Sequence, residues 1–203
     1  ENAQISLEHK KHVICEKPLT NNYQKTRKLI NLAKKNKKII FEAFMYKFHP
    51  QWRYLNNIIS SNKLGNIFQI DSKFGIPELN YDSFRNKKIL GASSIWDLLY
   101  YPISALVFLK LNKIKIINKN IHYKNKIDVK GNVNLLINKK INCNIYWGYG
   151  LSYRNIISIW GDKGSAEVPY VYSKDITKAS MIKLYNAQGE LSEIKFKNHD
   201  YFL

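Results

Sequence analysis

Apolar residues in the first part of the chain follow a strand, helix, strand pattern. Residues 12–15 and 39–44 are short, mostly apolar runs that indicate buried parallel strands. Between them, apolar residues recur at helical spacing over residues 23–33, and Asn21 or Asn22 is placed to cap the start of that helix. Because the connections are short, these elements predict a βαβ unit of a parallel sheet.

The second part of the chain has a different pattern. Residues 52–59 indicate a helix, and residues 68–76 alternate in polarity, which predicts a half-buried strand with Phe68 and Ile70 on one face. A further helix is expected over residues 94–109. Strands are then predicted at residues 114–121, 133–137, 141–149, 156–160, 166–168 and 181–185. Strands in direct succession favour an antiparallel or mixed sheet.

The change of pattern divides the chain into two expected domains. Residues 1–46 form an α/β part, and residues 47–203 form an α+β part with an open, mostly antiparallel or mixed sheet packed on helices. A chain of 203 residues is long enough to bury a sizeable core. It contains no run of 18 apolar residues, so no membrane-spanning helix is expected.

The charge balance raises the possibility of a nucleic-acid partner. Lys and Arg number 33 against 15 Asp and Glu, which gives a formal net charge of +18. The basic residues are nearly all lysine, however, and the four arginines are Arg27, Arg53, Arg85 and Arg154. Arginine provides the planar two-point contact to phosphate and guanine, whereas lysine does not. Because the lysines are scattered among Asn and Ile, we predict a compositional bias and no nucleic-acid partner.

Cys15 and Cys143 are the two cysteines, and they lie far apart in the sequence. They form neither a disulfide framework nor a metal-ligand spacing, so we expect no metal site. A reducing compartment, and therefore a cytoplasmic location, fits this usage.

Glu16, Lys17 and Pro18 follow directly on the first predicted strand. Open α/β sheets bind ligands at the carboxyl ends of their strands, where a glutamate and a lysine can hydrogen-bond a ribose or a substrate hydroxyl. Pro18 fixes the local backbone and can hold a cis peptide bond. The alternative interpretation is an ordinary charged turn.

Asp97 and Tyr101 form a second candidate cluster, because a spacing of four places them on one helix face. A carboxylate and a phenol there could bind a polyol and transfer a proton. A tyrosine does this more readily when a cation lowers its pKa, and Lys17 is the candidate cation. The alternative is that Tyr101, with Tyr100 and Phe108, is a core aromatic residue.

Eight short segments, in order along the chain, resemble the Gfo/Idh/MocA oxidoreductases. They are HVICEKPL (12–19), FMYKFHP (44–50), LGNI (64–67), LGASSIWD (90–97), YPIS (101–104), YWG (146–148), IWG (159–161) and GS (164–165). The first two are similar to the end of the family's nucleotide-binding domain, and the third to the entry into its second domain. The next two resemble its glycine-rich turn and catalytic helix, and the last three its C-terminal sheet. The sugar and dihydrodiol dehydrogenase branch is the most similar.

The resemblance implies a fold and a cofactor. Residues 1–46 would be the C-terminal part of a Rossmann domain that binds NAD or NADP, and residues 47–203 a substrate-binding and oligomerisation domain. The family's Gly-x-Gly-x-x-Gly turn would precede Glu1 and its final helix would follow Leu203, so we expect the chain to be partial. A homo-oligomer formed through the C-terminal sheet is also expected.

The resemblance assigns cofactor contacts to the first motif and to one later residue. Lys17 would contact both substrate and nicotinamide, and Glu16 and Pro18 would shape the nicotinamide–ribose pocket. Lys47 stands where many members of the family carry an arginine near the nicotinamide.

The resemblance also assigns substrate roles, with two departures from the family pattern. Asp97 would bind the substrate and Tyr101 would transfer the proton. Ala92 and Ser93 stand where the family has further glycines, and Leu99 where it has another, and these larger residues are expected to narrow the pocket.

The expected function is hydride transfer between NAD(P) and a hydroxyl or carbonyl carbon of a sugar, a polyol or a related small molecule. Lys17, Asp97 and Tyr101 support this interpretation. The alternative is a non-catalytic sugar-binding or assembly protein on the same scaffold, which the replaced glycines favour.

The C-terminal sheet contains more large side chains than one sheet face needs. They cluster around Ile145, Trp147, Tyr149, Ile157 and Trp160. We therefore expect the exposed face of this sheet to mediate self-association.

Overall fold

The computed structural model describes residues 1–78, 80, 82–174 and 177–197. Leu203, after which the resemblance implies a final helix, lies outside these residues. The chain divides into two compact units, Glu1–Met45 and Tyr46–Leu203.

The first unit is a βαβ arrangement preceded by a helix. Its elements are α1 (Asn2–Glu8), β1 (Val13–Cys15), α2 (Tyr23–Lys35) and β2 (Ile40–Glu42). The two strands pair in parallel with Val13 opposite Ile40, which confirms the predicted unit. Asn22 caps α2, because its side chain accepts hydrogen bonds from the backbone N–H groups of Gln24 and Lys25 at 2.8 and 3.2 Å.

The second unit contains a large mixed sheet. Its elements are α3 (Pro50–Ser60), β3 (Ile67–Ile76), α4 (Tyr100–Phe108), β4 (Ile114–Lys124), β5 (Ile127–Ile137), β6 (Ile141–Tyr149), β7 (Arg154–Gly161), β8 (Gly164–Pro169), β9 (Ser180–Asn186) and β10 (Leu191–Phe196). Among the described residues, eight strands form one open sheet in the order β10-β9-β8-β7-β3-β6-β5-β4. Only the β3–β6 pair in this sheet is parallel, so the predicted mixed, mostly antiparallel sheet is confirmed.

Helix α3 is fixed to the sheet by hydrogen bonds as well as by apolar packing. His49 caps its first turn, since the His49 ring nitrogen Nδ1 accepts from the N–H of Gln51 at 3.2 Å. Gln51 Nε2 donates to the carbonyl of Met181 at 2.7 Å, and Trp52 Nε1 donates to the carbonyl of Val171 at 2.7 Å. All three side chains are buried, so these bonds satisfy side-chain nitrogens that would otherwise be costly to bury, whereas Gln51 Oε1 is buried without a hydrogen-bond partner.

Two details differ from the sequence-based expectation. Phe68 is exposed and does not share the buried face of Ile70, because a bulge between Ile67 and Gln69 shifts the register of β3 against β7. Strand β10 was not expected, because at the edge of the sheet its residues are half-buried or exposed and show no apolar alternation.

The large side chains of the C-terminal sheet do not lie on its exposed face as expected. Ile145, Trp147, Tyr149 and Ile157 are all less than 8% exposed and belong to the core between sheet and helices. Trp160 alone among the five points outward, with 59% exposure. The excess of large residues is explained by a buried face that continues across many strands, and it is not evidence for an apolar outer face.

Candidate functional site

The Glu16-Lys17-Pro18 segment forms the turn at the carboxyl end of β1. Glu16 is exposed, Lys17 and Pro18 are half-buried, and the peptide bond between Lys17 and Pro18 is cis. The turn is held by Glu42 at the end of β2, whose Oε1 accepts from the backbone N–H of Leu19 at 2.6 Å. Two adjacent parallel strands therefore fix the segment at the edge where open α/β sheets bind ligands.

Lys47 lies in a short 3-10 turn, Met45–Phe48, directly before α3. Its side chain is half-buried, whereas its neighbour Tyr46 is fully buried and its hydroxyl shares a hydrogen bond of 2.6 Å with Ser104 Oγ. The segment is thus anchored by Tyr46 on one side of Lys47 and by the His49 cap on the other.

Asp97 is held by a cation and a phenol in the second unit. The Arg85 Nε donates to Asp97 Oδ2 at 2.5 Å, and the Tyr149 hydroxyl donates to the same oxygen at 3.1 Å. Asp97 lies in a π-helical turn, Ile95–Leu99, directly before α4. Its side chain is only 16% exposed, so the charge-assisted bonds act in a partly desolvated environment.

This arrangement changes the proton affinities of both partners. Partial burial by itself lowers the pKa of Arg85, but the hydrogen bond and the charge of Asp97 outweigh it and raise that pKa above its ordinary value. Burial raises the pKa of Tyr149 far above its ordinary value, and the charge of Asp97 adds to the increase. Arg85 therefore stays charged and Tyr149 stays a neutral donor throughout the physiological range.

Asp128 on β5 anchors the start of the helical segment that carries Asp97. Its Oδ2 accepts from Ser93 Oγ at 3.0 Å, from Ser94 Oγ at 3.0 Å and from the backbone N–H of Ile95 at 2.8 Å. The indole of Trp147 also donates to Ser94 Oγ, at 2.9 Å. Ser93, which replaces an expected glycine, is therefore a hydrogen-bonding residue that ties this turn to the sheet.

Tyr101 lies in a cluster of aromatic rings and is 6% exposed. Its ring is 5.4 Å from that of Phe74, and about 6.0 Å from those of Tyr46 and Tyr172. The packing matches the interpretation of Tyr101 as a core aromatic residue, and its role in proton transfer stays a prediction.

The structure thus places the predicted site residues in four settings, one of which is the 3-10 turn that carries Lys47. Glu16, Lys17 and Pro18 share one turn of the first unit. In the second unit, Asp97 joins an ion-pair network whose members come from three segments of the chain. Tyr101, although it is four residues from Asp97, lies among aromatic rings.

Sequence reasoning missed the residues that hold Asp97 in place. Arg85 falls between the predicted strand at residues 68–76 and the predicted helix over residues 94–109, and Tyr149 and Asp128 fall within strands. Arg85 did carry one signal, because it is one of four arginines in a chain that otherwise uses lysine. Arginine is preferred where a carboxylate must be held by a planar donor in a partly buried place.

Two further findings concern the described part of the chain. No group of three or more His, Cys, Asp or Glu side chains there is placed to hold a metal ion. None of the helices in the described ranges is long and apolar enough to cross a membrane.

Comparison with known families identifies both units. The model of the oxidoreductase family with an NAD-binding Rossmann fold matches residues 1–44, and that of the GFO/IDH/MocA C-terminal domain matches residues 52–167. The chain belongs to the GFO/IDH/MocA family. The resemblance found in the sequence is therefore confirmed, and so is the predicted order of a Rossmann-type segment followed by an α+β domain with an open sheet.

Curated relatives of this GFO/IDH/MocA chain include sugar and polyol oxidoreductases. The dTDP-3,4-didehydro-2,6-dideoxy-alpha-D-glucose 3-reductase of Saccharopolyspora spinosa is 24% identical over 197 residues, covering 96% of the chain and 59% of that enzyme. The scyllo-inositol 2-dehydrogenase (NADP(+)) of Bacillus subtilis is 30% identical over 116 residues, covering 54% of the chain and 35% of that enzyme. The chain spans less than two thirds of the length of either relative.

The solved structure of a 3-ketoreductase from Actinomadura kijaniata, in complex with NADP and TDP-benzene, has the same fold. The TM-score is 0.88 at 23% identity, and the match covers 98% of the chain and 62% of that protein. An aldose-aldose oxidoreductase from Caulobacter crescentus, complexed with glycerol, matches with a TM-score of 0.87 at 17% identity, over 99% of the chain and 61% of that protein. At such identities the likeness establishes the fold.

Proposed function

We propose that the protein is an NAD(P)-dependent oxidoreductase that moves a hydride between the cofactor and a hydroxyl or carbonyl carbon of a sugar or polyol. The observation that carries the proposal is membership of the GFO/IDH/MocA family in both units, in the family's order. Relatives named as a dTDP-sugar 3-reductase and a scyllo-inositol 2-dehydrogenase support the same substrate class.

The residues of the first unit suit a dinucleotide. The half-buried Lys17 and the exposed Glu16 sit at the carboxyl end of a parallel strand, in a turn that Glu42 holds in place. We assign Glu16, Lys17, Pro18 and, from the second unit, Lys47 to the binding of NAD or NADP. When bound, the nicotinamide donates or accepts the hydride.

We assign the substrate chemistry to two residues of the second unit. Asp97 accepts a hydrogen bond from a substrate hydroxyl, and Arg85 and Tyr149 fix its carboxylate in one orientation. Tyr101 exchanges the proton of the reacting hydroxyl, and Lys17 contributes positive charge. Preorganised groups of this kind lower the barrier to the reaction, because they are held in position before the substrate arrives.

A non-catalytic sugar-binding protein on the same scaffold is the second candidate. It is favoured by the replacement of family glycines with Ala92, Ser93 and Leu99, and by the packing of Tyr101 among aromatic rings. The two candidates differ in one measurable property, which is turnover of the cofactor.

We further propose a homo-oligomer formed through the outer face of the C-terminal sheet. Phe68, Tyr146 and Trp160 are 45–59% exposed, and the rings of Phe68 and Trp160 are in edge-to-face contact at 5.9 Å. Polar residues on neighbouring strands form a hydrogen-bonded row, since Asn144 Nδ2 donates to Asp71 Oδ1 at 2.8 Å. Aromatic residues within a satisfied polar surface are typical of protein interfaces.

Free Cys15 and Cys143 suit a cytoplasmic enzyme.

The test is to incubate the full-length protein with NAD⁺ or NADP⁺ and a panel of sugars, polyols and nucleotide sugars, and to follow reduced nicotinamide by absorbance. We expect turnover with at least one substrate and its loss in Asp97→Asn, with unchanged cofactor binding by calorimetry. Cofactor and sugar binding without turnover in either direction would establish the non-catalytic candidate instead.

A further inference from the structure

Arg85 has two neighbours of different kinds, the carboxylate of Asp97 and an open cavity. Its Nε donates to Asp97 Oδ2 at 2.5 Å, and its side chain is 33% exposed. Arg85 also contributes to the wall of a cavity of about 430 Å³ beside the hairpin that joins β4 to β5, whereas Asp97 does not line this cavity. Arg85 is therefore the residue that connects the proposed substrate carboxylate to this space.

The guanidinium of Arg85 has more hydrogen-bond donors than the protein uses. It carries five N–H groups, and among the described residues the bond to Asp97 is the one hydrogen bond that this side chain forms. The Tyr149 hydroxyl lies near enough to add to the raised pKa of Arg85, but it donates its own proton to Asp97. Because Nε is turned toward Asp97, the donors that remain are those of the two terminal nitrogens.

The orientation of these terminal nitrogens is set before a ligand binds. The guanidinium carbon of Arg85 lies 4.7 Å from the centre of the Phe84 ring, and Asp97 holds Nε. Stacking on an aromatic ring restricts the plane of a guanidinium, and a bond at Nε restricts its rotation within that plane. A donor that is already oriented binds a ligand at a smaller entropic cost than a mobile one.

The charges of the pair suit a neutral ligand. Asp97 balances the charge of Arg85, so the terminal nitrogens require an oxygen acceptor but not an anion. An ionised carboxylate only accepts hydrogen bonds, whereas a guanidinium only donates them. Asp97 therefore selects a hydroxyl, and Arg85 can donate to a hydroxyl or a carbonyl oxygen. Because one carbon atom joins Nε to the terminal nitrogens, the two bound oxygens would lie side by side.

We infer that Arg85 binds the substrate directly, so that two adjacent oxygens hold the sugar or polyol, a hydroxyl on Asp97 and its neighbour on the terminal nitrogens of Arg85. The arrangement suits both sides of the proposed reaction, because a diol and a hydroxy ketone each place a hydroxyl next to a second oxygen. The inference rests on the proposed function for the substrate class. Arg85 is then a substrate-binding residue as well as a positioning residue for Asp97.

Removal of single hydroxyls from the ligand tests this contact. The tightest-binding sugar or polyol of the panel is compared by calorimetry with its monodeoxy analogues, in the full-length protein saturated with NAD⁺ or NADP⁺. In the wild type, loss of either of two adjacent hydroxyls should weaken binding by about tenfold, as expected for a hydrogen bond to a charged group. In Arg85→Met, loss of the hydroxyl next to the one on Asp97 should weaken binding no further.

Two control variants separate direct contact from positioning. Tyr149→Phe removes the other donor to Asp97, so it should reduce the effect of losing one hydroxyl only, the one that Asp97 binds. Lys87→Met removes a cation from the same cavity wall and should leave both effects at their wild-type size. Arg85→Lys, which keeps the charge, should show a reduced dependence on the second hydroxyl even if Arg85→Met does not fold. If the Arg85 variants and Tyr149→Phe alter the effect of the same single hydroxyl, Arg85 only positions Asp97 and the inference is overturned.

Turnover keeps this inference apart from the proposed function. Binding that depends on two adjacent hydroxyls through Arg85, without turnover in either direction, would retain the contact and favour the non-catalytic candidate. Turnover in which the Arg85 variants respond to one hydroxyl alone would retain the proposed function and overturn the contact. Binding of no member of the panel by the folded wild type would reject both.

Discussion

Arg85 Nε lies 2.5 Å from Asp97 Oδ2, and this ion pair links a loop of the second unit to the turn that leads into α4. The two residues are 12 positions apart, so the pair depends on the fold of the intervening loop and not on helical spacing. Tyr149 reaches the same carboxylate oxygen from β6. Three segments thus determine where one carboxylate points.

The first prediction concerns this ion pair. If the full-length protein has the proposed activity, Arg85→Met should raise the KM for the sugar by about tenfold and leave the cofactor Kd unchanged, because Asp97 loses its charged donor but no residue of the first unit changes. Arg85→Lys should restore the charge but not the planar geometry, and so recover only part of the loss. Arg154→Met removes an exposed arginine at the start of β7 and serves as the control. An unchanged KM in Arg85→Met would show that Arg85 does not position Asp97 for substrate binding.

The second prediction concerns the anchor of the same turn. Asp128→Ala removes the acceptor of three hydrogen bonds from Ser93, Ser94 and Ile95, and should lower the free energy of unfolding by about 2 kcal/mol. Asp128→Asn retains one acceptor oxygen and should cost less. Urea unfolding measures both. A loss of less than about 0.5 kcal/mol in the alanine variant would contradict the anchoring role, since surface substitutions have effects of that size.

The third prediction concerns a buried thiol on β6. Burial raises the pKa of Cys143 from 9.0 to about 12, and the charge of Asp71 adds to the increase. The folded-state pKa is higher than the unfolded one. The Cys143 thiol therefore contributes fully to the free energy of unfolding below pH 9, and its contribution is lost as the pH rises toward 12. In a Cys15→Ser variant, Ellman's reagent should react with Cys143 at pH 8 only after unfolding. Rapid labelling of the folded variant would show that the thiol is accessible.

Local patterns in the sequence predict the helices and strands of the fold well, because each helix or strand depends on residues that are neighbours along the chain. Asn22 was one of two expected helix caps, and its side chain forms the capping bonds. The βαβ unit and the alternating strand β3 follow from periodicity alone. Phe68 was misplaced because a bulge depends on the pairing of two strands and is not visible within one of them.

The candidate site was only partly predictable for the same reason. Asp97 and Tyr101 could be proposed because they lie close together in one recognisable motif. Arg85, Asp128 and Tyr149 reach Asp97 or its turn from separate segments of the chain, and only the folded sheet brings them together. The burial of Tyr149 likewise depends on which sheet face meets the helices.

The fourth prediction concerns self-association. Trp160 and Phe68 form the exposed aromatic pair on the outer face of the sheet, so Trp160→Arg should shift an oligomer toward the monomer in sedimentation at micromolar concentration. Tyr123→Arg replaces a residue of similar exposure, 64%, on the β4 hairpin, and should not change the oligomeric state. A wild-type protein that sediments as a strict monomer would remove the basis for this prediction.

The last prediction separates the two interpretations of Tyr101. Tyr101→Phe keeps the ring that packs against Phe74 and removes only the hydroxyl, so the aromatic cluster should survive and the unfolding temperature should change little. If Tyr101 carries the proton, kcat should fall by roughly 10²- to 10⁴-fold with cofactor affinity nearly unchanged.

The neighbouring Tyr100, which packs edge-on against Trp96, is the matched control, and Tyr100→Phe should retain wild-type kcat. Lys17→Met should be at least as damaging as Tyr101→Phe, because it removes a charge and a donor together. The two interpretations differ in the rate, since for a purely structural Tyr101 the Tyr101→Phe variant would leave both the unfolding temperature and kcat nearly unchanged. Wild-type turnover in both Tyr101→Phe and Lys17→Met, in a folded full-length protein, would assign Tyr101 to the core and require another proton carrier.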